Sequence, residues 1–228
     1  CRTSSCCWEN SRTKRNRFSV SESVRILFVH QNFPGQYVHI LRRLSRLGGH
    51  QVIGLGLNEL DPLDGIPDDI AYYRYSLSQG NGAGVHPLAR ETEAKVIRAE
   101  GVARAASRLR DQGFDPDLIC AHPGWGEAMF LRTVWPDTPV LCYQEFFYRE
   151  HDFDPEFFDE QRDWDYIARI IMKNAYLQVT LEQATWNVSP THFQFSSYPD
   201  HWRRKISVIH DGIDLHQARP HPSPAPLK

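Results

Sequence analysis

The amino-acid sequence predicts an α/β domain built on a doubly wound parallel sheet. Two observations predict it. Short apolar runs of strand length alternate with helix-period stretches along the chain. The stretch from Arg25 to Val52, RILFVHQNFPGQYVHILRRLSRLGGHQV, contains a complete βαβ unit. Within it, Ile26 to Val29 form an apolar strand and Pro34-Gly35 close a loop. A helix follows in which Tyr37, Ile40, Leu41, Leu44 and Leu47 share one face, while Arg42, Arg43 and Arg46 fall mostly elsewhere. Gly48-Gly49 supplies the left-handed turn that stops the helix, and Gln51-Val52-Ile53 starts a second strand.

The later elements continue the alternation. Asn58 to Asp69 is a loop with two prolines, and Ile70 to Tyr75 is a third strand. Ser78 to Gly84 is a flexible loop before a long helix, Pro87 to Gln112, rich in Ala, Arg and Glu. In that helix Glu91 and Lys95 stand at i,i+4 spacing, and Val96, Ala99, Ala103 and Ala106 form a narrow apolar stripe ended by Gly113. Asp117 to His122 (DLICAH) is a short apolar run with proline on either flank, which suits a buried parallel strand. Pro123 to Gly126 leads into a short helix ending before Pro136, and Val140 to Glu145 (VLCYQE) is the next strand. An aromatic and acidic segment, Phe146 to Asp165, precedes a helix to Gln183 in which Trp164, Ile167, Ile171 and Ala175 share a face. Trp186 to Ser189 is a strand, and Ser189-Pro190 has N-cap and first-turn chemistry for a short helix. Lys205 to Ile209 is the last strand, followed by His210-Asp211-Gly212-Ile213-Asp214. The expected organisation is a disordered leader over residues 1–23, one domain over 24–214, and a proline-rich interdomain linker over 215–228.

Composition narrows the function classes. With 228 residues, 41% hydrophobic and 24% charged, the chain matches one well-buried globular α/β domain with tails. A net charge of -2 gives no bulk attraction for nucleic acid. No apolar run approaches the roughly 20 residues of a membrane span, and no basic-then-apolar leader marks a secretory signal. The five cysteines divide into Cys1, Cys6 and Cys7 in the leader and Cys120 and Cys142 inside apolar runs. That pattern predicts free thiols in a reducing cytoplasm, the last two buried as small hydrophobes. The 11 histidines include no HxxxH pair on a helix, and the acidic run from Glu150 to Glu160 lacks the spacing of a calcium loop, so no metal site is expected. Asn187-Val188-Ser189 matches a glycosylation sequon but lies in a predicted strand.

Open α/β sheets hold their ligands at the carboxyl ends of the strands. Four segments furnish that rim: His30-Gln31-Asn32 with Gly35-Gln36, His122 to Glu127, Tyr143-Gln144-Glu145, and Asp211-Gly212. Gly35 lets backbone N–H groups at the next helix start approach a phosphate or a sugar hydroxyl, or is simply a turn glycine. The loop is neither a GxGxxG fingerprint nor a Walker loop. His122 closes a buried strand before Pro123-Gly124-Trp125-Gly126-Glu127, where an imidazole can exchange hydrogen bonds with a substrate hydroxyl or serve the fold alone. Trp125, between two glycines, offers a flat face for a sugar or a lid over the core. Glu127 reads as a ligand-facing or a first-turn carboxylate favoured by the helix dipole. Glu145 ends the next strand and pairs with His122 across adjacent loops.

In order, RILFVHQNFPGQYVHILRRLSRLGGHQV, FDPDLICAHPGWGEAMFL, PVLCYQEFFY, WNVSPT and KISVIHDGID resemble the amino-terminal half of a GT-B fold glycosyltransferase of family 4, over Val24 to Asp214. The resemblance implies a Rossmann-like domain that binds mainly the acceptor, a sugar, lipid or glycan. A second Rossmann-like domain, carboxyl-terminal to it, would bind the nucleotide-sugar donor. It implies sugar transfer, usually with retention and with no metal or cofactor beyond the nucleotide sugar as co-substrate. By resemblance His122 faces the transferred sugar and Gly35 lies near the donor phosphates. Asn32, Gln36, Gly124, Trp125 and Glu127 share that substrate-facing rim, and Asp211-Gly212 leads toward the second domain. Glu145 falls where relatives often carry histidine, and Gln36 takes the second place of a frequent Gly-Gly. No carboxylate pair of the kind that grips a donor follows Asp214, so the chain is expected to be half of an active site, inactive alone. The expected setting is cytoplasmic, with membrane contact peripheral at most. Two other readings stand beside it: a non-enzymatic binding module of the same fold, and a flavodoxin- or dehydrogenase-like domain, which lacks its phosphate fingerprint here.

Overall fold

A computed structural model describes residues 23–61, 65–149, 163–213, 215 and 218–219. The leader with Cys1, Cys6 and Cys7, the acidic run from Glu150 to Glu160, Asp214 and most of the linker lie outside the described residues. Seven parallel strands form one sheet in the order β3-β2-β1-β4-β5-β6-β7. They are β1 (Arg25–Val29), β2 (Gln51–Gly56), β3 (Ala71–Arg74), β4 (Leu118–Ala121), β5 (Val140–Tyr143), β6 (Trp186–Ser189) and β7 (Ile206–Val208). The doubly wound parallel sheet expected from the alternation is the architecture observed.

Alternation along β1 sends its residues to two cores. Leu27 and Val29 join Ile53, Leu55, Ile119 and Ala121 beneath α2 (Arg90–Asp111) and α3 (Leu131–Val134). Ile26 and Phe28 join Val52 and Cys120 on the opposite face, under Tyr37 and Leu41 at the start of and within α1 (Val38–Leu47). Burying each such aliphatic side chain stabilises the fold by about 1.5–3 kcal/mol. After α4 (Trp164–Lys173), which lies against α2, a third cluster with Tyr176, Leu177, Leu181 and Tyr198 packs α5 (Ala175–Gln183), α6 (His192–Ser197) and α7 (Asp200–Arg203) around Ala99 of α2. Strand order reverses between β1 and β4, where the register pairs Val29 with Ala121. That is the topological switch point, and both strands end there at the same height.

Several faces differ from expectation. On α1 only Tyr37 and Leu41 of the five apolar residues are buried, and Ile40 and Leu47 are half exposed. The helix lies along an open trough, lined also by Leu118, Leu141 and Val188, rather than under a second layer. On α2 the buried hydrophobic side chains are Ile97, Ala99, Val102, Ala105, Ala106 and Leu109, with Val96 exposed. Its alanines and arginines give so weak a period that only the contact with the sheet settles the rotation. The single helix expected up to Gln183 is two, parted at Asn174, and Trp164 and Ile171 are exposed. There the Asn174 side chain exchanges hydrogen bonds with the backbone of Tyr148, at 2.9 and 2.7 Å, which ties the break to the loop after β5. The N-cap of α6 is Thr191 rather than Ser189, its side chain accepting from the Gln194 N–H at 3.2 Å. Asn187 of the sequon is fully buried, donating to the Lys205 carbonyl and accepting from Gln144. Cys120 and Cys142 are free and buried, as expected, and burial raises both thiols to about 12. Among the described residues no helix is long and apolar enough to cross a membrane.

Candidate functional site

The site follows from the register at the switch point. Beyond the strand ends the ladder continues, His30 N–H donating to the Leu55 carbonyl at 3.1 Å and His122 N–H to the Val29 carbonyl at 2.9 Å. His30 and His122 therefore stand side by side, their ring centroids 4.8 Å apart. Both imidazoles are buried, 5% and 4% exposed. Each is oriented by its own loop. The Asn32 N–H donates to His30 Nδ1 at 3.0 Å, and the Gly124 N–H donates to His122 Nδ1 at 3.2 Å. With Nδ1 accepting, the neutral form of each ring carries its proton on Nε2.

His122 Nε2 lies 3.2 Å from Glu145 Oε2, within ion-pair range but poorly aligned as a hydrogen bond. The other oxygen of Glu145 accepts from the Gln36 side-chain amide at 2.6 Å. The imidazole of His122, then its charge and the Gln36 amide, hold the Glu145 carboxyl below its ordinary range against the opposing effect of burial. His30 moves strongly the other way. Burial, then the neighbouring His122, lower its pKa to about 4, so it is neutral near pH 7. Gly35 explains how this ring is seated. Its φ is +50, and a Cβ there would meet the His30 ring at 2.6 Å.

A cavity of about 320 Å³ opens over this group, lined by His30, Asn32, Gln36, His122, Gly124, Trp125 and Glu145, together with Glu91, Lys95, Tyr148 and Tyr176. Of the residues expected at the site, the structure thus gathers Asn32, Gln36, His122, Gly124, Trp125 and Glu145 around one cavity, with Gly35 directly behind His30. Glu127 is placed differently. It is fully buried beneath the loop, its Oε1 accepting from the Tyr75 hydroxyl at 2.9 Å, and burial raises its pKa. It stands in the turn before α3 rather than in the first turn of a helix, and its side chain enters the core instead of the cavity. Asp211 stands apart, accepting from the Tyr143 hydroxyl at the end of the open trough, and the Gly212 N–H donates to His210 at 3.0 Å.

Sequence reasoning named His30 on the rim without a role, although its place at the end of the strand beside β4 was signal enough. It gave Lys95 and Tyr176 no part in a site, because a mid-helix lysine or tyrosine carries no local mark of facing a cavity.

The sequence model of the family described as the Glycosyl transferase family 4 group matches residues 48–218, well over half of the chain. The match spans His122 and Glu145 and begins after α1. No curated protein matches by sequence. Among solved structures, a UDP-glucosyltransferase from Polygonum tinctorium that glucosylates indoxyl, in complex with 3,4-dichloroaniline, superposes with a TM-score of 0.51 at 8% identity. The alignment covers 89% of this chain and 55% of that one. UGT2 from Phytolacca americana, complexed with UDP-2fluoro-glucose and pterostilbene, gives 0.49 at 14% identity, over 84% and 53%. The UDP-GlcNAc 2-epimerase from Neisseria meningitidis bound to UDP-GlcNAc gives 0.47 at 14% identity, over 82% and 45%. The chain spans about half the length of these structures.

Proposed function

Because the chain belongs to the Glycosyl transferase family 4 group, we propose that it forms the acceptor-side half of a sugar-transferring active site. A nucleotide sugar is the donor, and a second Rossmann-like domain facing the rim grips the nucleotide. The observation that carries this reading is the coupled set at the switch point. It comprises a buried His122 in the cavity lining, a carboxylate 3.2 Å from its Nε2, and the Trp125 indole lining the same cavity.

In this reading the sugar lies against Trp125, and His122 donates from Nε2 to one of its hydroxyls. Glu145, held ionised by His122 and Gln36, presents negative charge where the sugar ring becomes positive in the transition state. His30, neutral, completes the wall without opposing that charge. Transfer is of a hexose and proceeds with retention, as the resemblance implies. The described domain alone binds nucleotide sugars only weakly.

The test is nucleotide release from a panel of UDP-, GDP- and ADP-sugars by the full protein, with candidate sugar and lipid acceptors. His122→Ala should lower turnover by about 100-fold or more with little change in melting temperature. Near-full turnover in that variant would remove His122 from the chemistry. Release from no nucleotide sugar would instead favour a non-enzymatic binding module.

A further inference from the structure

Lys95 is a cation in an unusual place. It sits in the second turn of α2, 7% exposed, on the cavity wall that also carries Trp125 and Tyr176. Its Nζ lies 4.6 Å from the centroid of the Trp125 ring and 5.1 Å from that of Tyr176. The i,i+4 spacing from Glu91 suggested an ion pair on the helix surface, yet Glu91 is exposed and the two do not pair. Among the described residues, no carboxylate lies within ion-pair range of this ammonium and no oxygen accepts a hydrogen bond from it.

The backbone keeps it there. The loop after β4 crosses directly over α2 at this residue, and Gly126 has φ +100. A Cβ on Gly126 would meet the Lys95 carbonyl at 2.5 Å and the Lys95 Cβ at 2.8 Å. The Tyr176 hydroxyl donates to the Gly124 carbonyl at 3.1 Å, which fixes the same loop from the far side. The two rings are therefore built around the ammonium. Aromatic faces stabilise a cation but accept none of its N–H bonds fully, and a buried charge without a counterion is costly. Burial accordingly pulls its pKa below the ordinary lysine value, with Arg98 and Lys173 adding to the effect against Glu91 and Glu127. An anion arriving from the cavity would satisfy all of these at once.

We propose that Lys95 is the anion anchor of this cavity, receiving a carboxylate or phosphate carried by the sugar that stacks on Trp125. The substrate class is then an acidic sugar, either a uronate or a sugar phosphate. The assignment rests on the reading of the cavity as a sugar site, but its test needs no turnover.

The protein is titrated calorimetrically at pH 7 with glucuronate, glucose 6-phosphate, glucose and UDP. At least one acidic sugar should bind about 10-fold or more tighter than glucose, and which one does so identifies the anion. Lys95→Met should abolish that preference, and Lys95→Arg should keep it. Melting temperatures of both variants control for folding. Equal affinity for glucose and both acidic sugars overturns the proposal, as does a preference that survives in Lys95→Met. UDP binding that depends on Lys95 more strongly than either sugar would move the anion to the donor diphosphate and overturn the acidic-sugar assignment. An acidic-sugar preference without nucleotide-sugar turnover leaves the anchor standing and removes the transferase reading. Turnover with no such preference does the reverse.

Discussion

His30 shows how one residue links the strand register to the properties of the site. The register at β1 and β4 sets its ring against His122, and burial with that neighbour lowers its pKa from the ordinary 6.5 to about 4. The unfolded chain thus takes up this proton first as pH falls, so the native state loses stability between pH 6.5 and 4 and keeps it in full above that window. The loss should be about 3 kcal/mol by pH 4. Urea unfolding of the wild type and of His30→Gln at pH 7 and pH 4 measures it. The variant should show a drop smaller by about that amount, and an equal drop would mean that the ring is not buried as described. Histidine and glutamate at strand ends were legible as rim residues because parallel strands end on one side. Which side chain enters the cavity was not. Glu127 turns inward to the Tyr75 hydroxyl because the tight turn before α3 folds back over the core there.

At the scale of elements, the loop between β4 and α3 and the second turn of α2 act as one unit. Gly126 joins them by a positive φ and a close approach to Lys95. Gly126→Ala should therefore destabilise the fold by about 2 kcal/mol or more, since strain and a backbone clash add. Gly113 has φ +91 but open space where a Cβ would stand, so Gly113→Ala should cost only about 1 kcal/mol. Denaturant midpoints of the two variants, compared with wild type, distinguish contact from conformation. Equal losses would mean that the loop does not press on α2. The existence of α2 was readable from its helix formers and its glycine stop. Its buried face was not, because alanine is indifferent to side, and Val96 yields to Val102 and Ile97 only once the sheet is beneath it.

For the whole molecule, the switch point is both the centre of the sheet and the floor of the site. Backbone amides of Leu27, Phe28, Ile119 and Cys120 sit in central strands, flanked by other strands on both sides and by buried side chains. They should exchange with solvent most slowly in hydrogen-exchange measurements, and those of the edge strands β3 and β7 fastest. Faster exchange in β1 and β4 than at the edges would contradict the strand order. The design keeps His30 and His122 on the least deformable part of the fold, while their partners Gln36, Glu145 and Trp125 come from the loops around it.

The sequence alone determined the parallel α/β architecture and the end of the sheet at which polar residues gather. Strand and helix periods are local properties, and parallel winding leaves only one rim for the loops that follow the strands. Tertiary structure decided which of those residues meet. The pairing of His30 with His122, the Glu145 contact and the enclosure of Lys95 by Trp125 and Tyr176 join positions far apart in the chain. Such contacts depend on strand order and helix rotation, which are set by the packing of the whole core and by no single stretch of it.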